Sequence, residues 1–452
     1  MKKSRKPIIF IQLNEINFDL VRQYVKTHHL PAFQRILSGF DHIETYAGTE
    51  YNNLEPWIQW VSAQTGKTFA EHGVFRLGDI VNKKPLQVFE ILERAGLKVG
   101  AISPMNACNS LRAPAFFVPD PWTMTPSDPS GFSCRLTAML RQTVNENAAG
   151  IVSTRSKITI AEAILRTFSF SGTFRLFRLI AGSRQRSWLK PLVLDQLIHL
   201  IHLAQFSKTR PDVSFVFLNA GAHIQHHYLL NSPYSGSRLR NPPWYIPQDA
   251  DPVFKMLQAY DCMLGDYLAF AEHNINLIVA TGLSQVAYDR VKFYYRLKHH
   301  SLFLDKIGIT HSQVLPRMTR DFDISFPDRQ LALRAIDIMK GVFMKRDGLP
   351  LFAEIQDRGL SLFVTMTYPD AILPDDQAVL ATGQLIKIHG EIDFVAIKNG
   401  MHSPKGFVFL SPGTADRKEF APIHVAELFN ITLEAAGVKI PAQPDDVSIL
   451  SS

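Results

Sequence analysis

The stretch LNAGAHIQHHY, residues 218–228, places His223, His226 and His227 within five residues, directly after the apolar run VSFVFL. Neutral imidazoles ligate transition metals, and imidazole also carries protons near neutral pH. Other polar residues follow other apolar runs in the same way. Asn14-Glu15 follows PIIFIQL, Thr281 to Gln285 follows LIVA, and Asn399-Gly400-Met401-His402 follows FVAIK. Glu55 precedes Pro56, and Pro is favoured at the first helical position, which puts Glu55 at a helix N-cap. Glu is a mediocre cap, a small argument for another role. Two imidazoles and a carboxylate are a common set for Zn²⁺ or Fe²⁺. His223 and His402 with Glu15 or Glu55 therefore form a candidate one-metal site, with Glu15 and Glu55 also candidate catalytic carboxylates. Asn219, a neutral group beside it, is a candidate substrate contact, as are Gln285, His227 and Arg296. Thr281, Asp120 and His72 read as structural.

The elements that must position these residues alternate. PIIFIQL (7–13), LKVGAIS (97–103), VSFVFLN (213–219) and INLIVATG (275–282) are continuous apolar runs, the pattern of strands buried on both faces. Helical spacing separates them, at 16–21, 30–37, from Pro56 to Thr65-Gly66, and at 252–272. LSLFVTMTY, FVAIK and GFVFLS read as later strands, with helices at 328–343 and 425–438. The class is α/β, with a mostly parallel central sheet and helices on both faces. In such sheets ligands collect outside the carboxyl ends of the strands, where these polar residues fall. Residues 106–130 read as a long ordered loop or a linker. Residues 151–210 read as an inserted basic helical cap, between a first core segment 1–150 and a remainder of the core, 211–452, with smaller insertions.

Composition limits the function classes. The chain has 452 residues, 46% hydrophobic, with 48 Lys and Arg against 41 Asp and Glu. That is globular, with a modest positive balance and no nucleic-acid motif, so nucleic acid is not an expected partner. Three scattered cysteines suit a reduced compartment, and the apolar part of MKKSRKPIIFIQL is too short for a secretory h-region. A cytoplasmic location follows as the expectation. Between residues 155 and 190 stand eight basic residues and one acid, Glu162, and TFRLFRLI is amphipathic. This segment is a candidate peripheral contact with an anionic membrane surface or a lipid-linked substrate.

The order QLNEINFDLV, EPWIQWVSAQTGKTFAEHGV, NAGAHIQHHY, LIVATGLSQ and MHSPKGFVFLS resembles the alkaline phosphatase-like superfamily, in particular its phosphodiesterase and nucleotide pyrophosphatase branch. That family has an Asp after the first strand, a Thr or Ser nucleophile at a helix start, a D-x-x-x-H motif, an SDHG motif and a late His. Here Asn14 or Glu15 replaces the first Asp and Glu55 lies at or near the nucleophile position. Asn219 and His223 replace D-x-x-x-H, Ala280-Thr281-Gly282-Leu283 replaces SDHG, and His402 is kept. The resemblance assigns His223, not His226 or His227, as the metal-binding histidine of the stretch. It implies a divalent metal, zinc with iron or manganese as alternatives. It also implies a metal-dependent hydrolase or transferase of a phosphate or sulfate ester, glycan- or lipid-linked ones included. The lost SDHG groups and hydroxyl leave a pseudoenzyme, a binding or scaffold protein, as the alternative.

Overall fold

Ile8–Leu13 (β1) is buried along its whole length, as a strand covered on both faces must be. In the computed structural model, which describes residues 5–48, 50, 53–145, 153–317, 320–414 and 421–439, β1 lies at the middle of an eight-stranded sheet. The other strands are Asp41–Tyr46 (β2), Val99–Ile102 (β3), Phe116–Val118 (β4), Val213–Leu218 (β5), Asn276–Ala280 (β6), Lys405–Leu410 and Ile423–His424. In space β4, β3, β5, β1 and β6 run side by side in parallel. Lys405–Leu410 then pairs antiparallel with both β6 and β2. The α/β class and the mostly parallel sheet are thus as the sequence implies. β1 has β5 on one side and β6 on the other, in register from Ile8 to Leu13 and from Ile8 to Gln12. Three carboxyl ends therefore open on one edge, and the antiparallel strand starts at that same edge, with Val408 opposite Ala280.

The chain divides into two compact units. The first comprises 1–236, 249–287 and 400–452, and the second 237–248 and 288–399. The second has its own core, including Phe303, Phe322, Phe352, Leu362 and Tyr368. It contains a four-stranded antiparallel sheet with Asp321–Ser325 and Ser361–Thr365 at its centre, and a separate three-stranded sheet. The smaller insertions expected within 211–452 are therefore one compact second unit, and LSLFVTMTY is not part of the central sheet. FVAIK lies within a longer strand, Ile392–Ser403, that is also outside it.

The reading of 151–210 as a cap needs correction too. Its start falls outside the described residues, and Thr154–Arg166 and Phe170–Ser183 are half-exposed helices. Lys190–Thr209, however, is a helix flanking the sheet, buried from Asp195 through His202. Of the two readings of residues 106–130, the ordered loop is the one found, and it also supplies β4. Asp120 organises that loop, accepting hydrogen bonds from the backbone of Asn106, Trp122 and Thr123. Among the described residues no helix is long and apolar enough to cross a membrane.

The helix Lys190–Thr209 has a direct part in placing the histidine stretch. Asn219, the residue before helix Ala220–Tyr228, makes no side-chain cap. Asp195 caps it instead, accepting from Ala220 N–H at 2.8 Å and Asn219 N–H at 3.2 Å. Tyr260 completes the group, donating its hydroxyl to Asp195 at 2.7 Å and accepting Gly221 N–H at 2.8 Å. Burial pushes the Asp195 carboxyl up to about 6, against the lowering effect of these donors. Asp195→Ala leaves three buried donors without their acceptor. The expected loss of stability is about 1–3 kcal/mol, measured by urea unfolding. Asp195→Asn, which keeps one acceptor oxygen, should lose less.

Candidate metal centre

The chain turns sharply after β1. Asn14 N–H still follows the sheet to Leu218 O, whereas Glu15 N–H crosses to Thr281 O. Glu15 takes φ +60°, a left-handed conformation unusual for a residue with a side chain. Asn17 then caps helix Phe18–Thr27, accepting from Asp19 and Leu20 and donating to Gln285 O. The turn is held from both neighbouring strands, and the Glu15 side chain is 2% exposed. Backbone strain held in place by surrounding contacts is a feature of functional sites.

Every polar atom of Glu15 is engaged. Asn14 Nδ2 donates to Oε1 at 3.0 Å, and Gln285 Nε2 donates to Oε2 at 2.6 Å. Gln225 Nε2 donates to the backbone carbonyl at 2.9 Å. Asn14 is held in turn by Trp60 Nε1, which donates to its Oδ1 at 2.8 Å, and it donates to Asn219 Oδ1 at 2.8 Å.

Two imidazoles converge on Glu15 Oε2. His226 Nε2 lies 3.1 Å from it and His402 Nε2 3.2 Å. The two Nε2 atoms are 3.3 Å apart. These three residues form a group whose ligand atoms all lie within 4.8 Å of one another, the one such group among the described residues. Burial opposes ionisation of Glu15, but the two histidines, charged and hydrogen-bonded beside it, hold its carboxyl well below the usual range. His226 Nδ1 faces Gly400 O at 3.1 Å. A carbonyl only accepts, so Nδ1 carries a proton, and whenever the ring is neutral its Nε2 presents the lone pair to the cluster. Gly400 is required here, because a Cβ would stand 2.0 Å from Gln285 Oε1 and 2.9 Å from Gln225 O. Glu55 stands at the rim, at the N-cap of helix Pro56–Thr65 without a side-chain capping bond, its Oε2 3.8 Å from His402 Nδ1.

The structure thus brings Glu15, His402 and, at the rim, Glu55 together, and the third member of the cluster is His226. His223 is not in it. On the helix, Ala222 and His226 are one turn apart and share the face turned to Gln285 and Glu15, for Ala222 O accepts from Gln285 at 3.0 Å. His223 and His227, also one turn apart, share the next face, their rings 4.8 Å from one another and His223 exposed. Asn219 and Gln285, expected to touch substrate, instead orient Asn14 and Glu15. Arg296 belongs to the second unit, within strand Ser284–Leu297, and is not a member of the cluster. Thr281 and His72 have the structural parts expected of them: Thr281 Oγ1 accepts from Phe407 N–H, and His72 Nδ1 from Val74 N–H.

Among solved structures, the chain is similar to murine ectonucleotide pyrophosphatase/phosphodiesterase 5 in its AMP complex, at 13% identity over 97% of each chain and a TM-score of 0.43. Alkaline phosphatase from the Antarctic bacterium TAB5 matches at 12% identity over 97% of this chain and 100% of that one, TM-score 0.41. Phosphonoacetate hydrolase from Sinorhizobium meliloti 1021 matches at 12% identity over 95% and 96%, TM-score 0.39. No family model and no curated protein matches the chain.

The geometry separates neighbouring histidines by experiment. His226→Ala should abolish stoichiometric uptake of Zn²⁺ in a calorimetric titration, and His223→Ala should leave it nearly unchanged. Gly400→Ala displaces Gln285 and the carbonyl that fixes His226, and should weaken metal binding about 10–100-fold.

Proposed function

We propose that Glu15, His226 and His402 bind one divalent metal ion, zinc or else iron or manganese, and that the site hydrolyses or transfers a phosphate or sulfate ester. The convergence of two Nε2 atoms and one carboxylate oxygen, each within 3.3 Å of the others, supports the metal reading most directly. A His₂-carboxylate donor set is suited to such an ion. The motif order read from the sequence supports the ester. When bound, the ion polarises an ester oxygen as a Lewis acid.

The chain's own residues do the rest. Asn14 and Gln285 hold the Glu15 carboxylate in one orientation, and the Gly400 carbonyl holds His226 in one tautomer. Glu55 is the proton acceptor. Its Oε2 takes the proton of an attacking water or acceptor hydroxyl as the new bond to phosphorus or sulfur forms, and returns it to the alcohol oxygen as the ester bond breaks. Its position at a helix N-terminus favours the ionised form this needs. Its negative charge also repels an anionic ester, so productive binding depends on the positive charge held by Glu15, His226 and His402.

A second reading has its own support. Among the described residues there is one metal-type cluster, and Thr281 is committed to the backbone of Phe407. A protein that binds an anionic ligand at its metal without turning it over fits that as well.

Hydrolysis of p-nitrophenyl phosphate, bis-p-nitrophenyl phosphate and p-nitrophenyl sulfate, before and after chelation, tests the first reading. Activity should vanish with chelator and return with added metal. Glu55→Gln should lower kcat by about 10²-fold or more while metal content stays unchanged. Full metal loading with no turnover of any ester would favour the binding protein. Both histidines must be neutral to ligate, so metal affinity should fall as the pH is lowered and protons compete for the two ring nitrogens.

A further inference from the structure

The helix Phe170–Ser183 is amphipathic in an unusual sense. Its inward side is already used: Gly172, Thr173 and Leu176 are buried, and a Cβ on Gly172 would meet Leu200 of helix Lys190–Thr209 at 2.5 Å. Its outward side is apolar as well. Phe170, Phe174 and Phe177 follow one another at helical spacing along a single stripe. Phe168 precedes them, and Leu165 and Ile158, seven residues apart, form the outward stripe of the preceding helix. These six side chains are between 53% and 84% exposed. Single exposed apolar residues are ordinary on a protein surface, but a periodic run of them marks a surface meant to be covered.

Charge identifies what covers it. Eight basic residues against one acid between 155 and 190 equal the whole chain's excess of Lys and Arg over Asp and Glu, 48 against 41. The remainder of the chain is therefore balanced, and the positive charge is concentrated around this stripe. Arg166 and Arg175 are paired, with Glu162 and Asp266. Arg155, Lys157, Arg178, Arg184 and Arg186 are exposed. Aromatic residues at helical spacing, flanked by Arg and Lys, are the composition of a helix that lies in the interfacial plane of an anionic bilayer. A second copy of this chain would set like charge against like around the same stripe, which disfavours self-association there.

We propose that the helix pair Thr154–Arg166 and Phe170–Ser183 docks the protein on an anionic membrane surface, with the phenylalanine stripe entering the headgroup region and the flanking basic residues on lipid phosphates. The inference is independent of the metal centre.

Co-sedimentation of the full chain with phosphatidylcholine vesicles, with and without phosphatidylglycerol, tests it. The protein should bind the anionic vesicles alone and detach at high salt. Phe170→Ser/Phe174→Ser/Phe177→Ser and Arg178→Glu/Arg184→Glu/Arg186→Glu should each weaken binding about tenfold or more. All six residues are exposed, and unchanged thermal melting and metal content in each variant would establish that the fold and the metal centre are intact. Failure to bind anionic vesicles, or binding that neither variant weakens, would overturn the proposal. So would a concentration-dependent dimer in sedimentation velocity that the phenylalanine variant abolishes, since the stripe would then belong to a second copy of the chain.

Discussion

A carboxylate taken out of water needs compensating charge and hydrogen bonds, and the first unit is built around meeting that need for Glu15. Its side chain is 2% exposed, its backbone is left-handed, and both carboxylate oxygens accept from amide side chains. Those donors leave the Oε2 edge facing two imidazole nitrogens. Without a cation, the charge is balanced only if the imidazoles are protonated. With one, both imidazoles are neutral ligands and the same three atoms share a positive centre. The Nδ1 proton of His226 is held by a backbone carbonyl in both arrangements, and in the second it leaves the inward-pointing Nε2 free to ligate.

The sheet makes this constraint possible. β1 is paired on both sides, so the turn that presents Glu15 is tied to β5 through Leu218 and to β6 through Thr281. The helix bearing His226 follows β5, and its start is fixed by Asp195 from a different part of the chain. His402 arrives from the opposite direction, ahead of a strand that runs antiparallel to β6 and so begins where β6 ends. Glu55 is held by a helix that packs Trp60 under Asn14. Four separate stretches of chain therefore meet at one sheet edge, and the ring of amides around Glu15 joins them.

Much of this was legible in the sequence, because strand ends are. Buried apolar runs announce themselves, and Glu15, which follows one, falls on the edge where sites occur; His402 reaches that edge because it precedes the run GFVFL, not because it follows FVAIK. Helical phase was not legible. Choosing between His223 and His226 requires knowing which face of Ala220–Tyr228 turns to Glu15, and that is set by the Asp195 and Tyr260 contacts and by Gln285. A small residue at 222 and an amide at 225 beside His226 were the available signal. Gln285 shows a related difficulty, since a polar residue at the start of a strand can point to a ligand or back to another side chain. The apolar run LVLDQLIHLIHLAQF, hydrophobic on all sides, marked Lys190–Thr209 as a core helix rather than part of a cap. The second unit was obscured because its strands are largely half-exposed and lack the continuous apolar runs that mark the central sheet.

The central claim is that three particular atoms share one cation. Crystals loaded with Zn²⁺ and measured at the zinc absorption edge test it directly. The account expects one anomalous peak about 2.0–2.2 Å from Glu15 Oε2, His226 Nε2 and His402 Nε2, with Glu55 outside that shell. A peak at His223, or density for water alone between two protonated imidazoles, would contradict it.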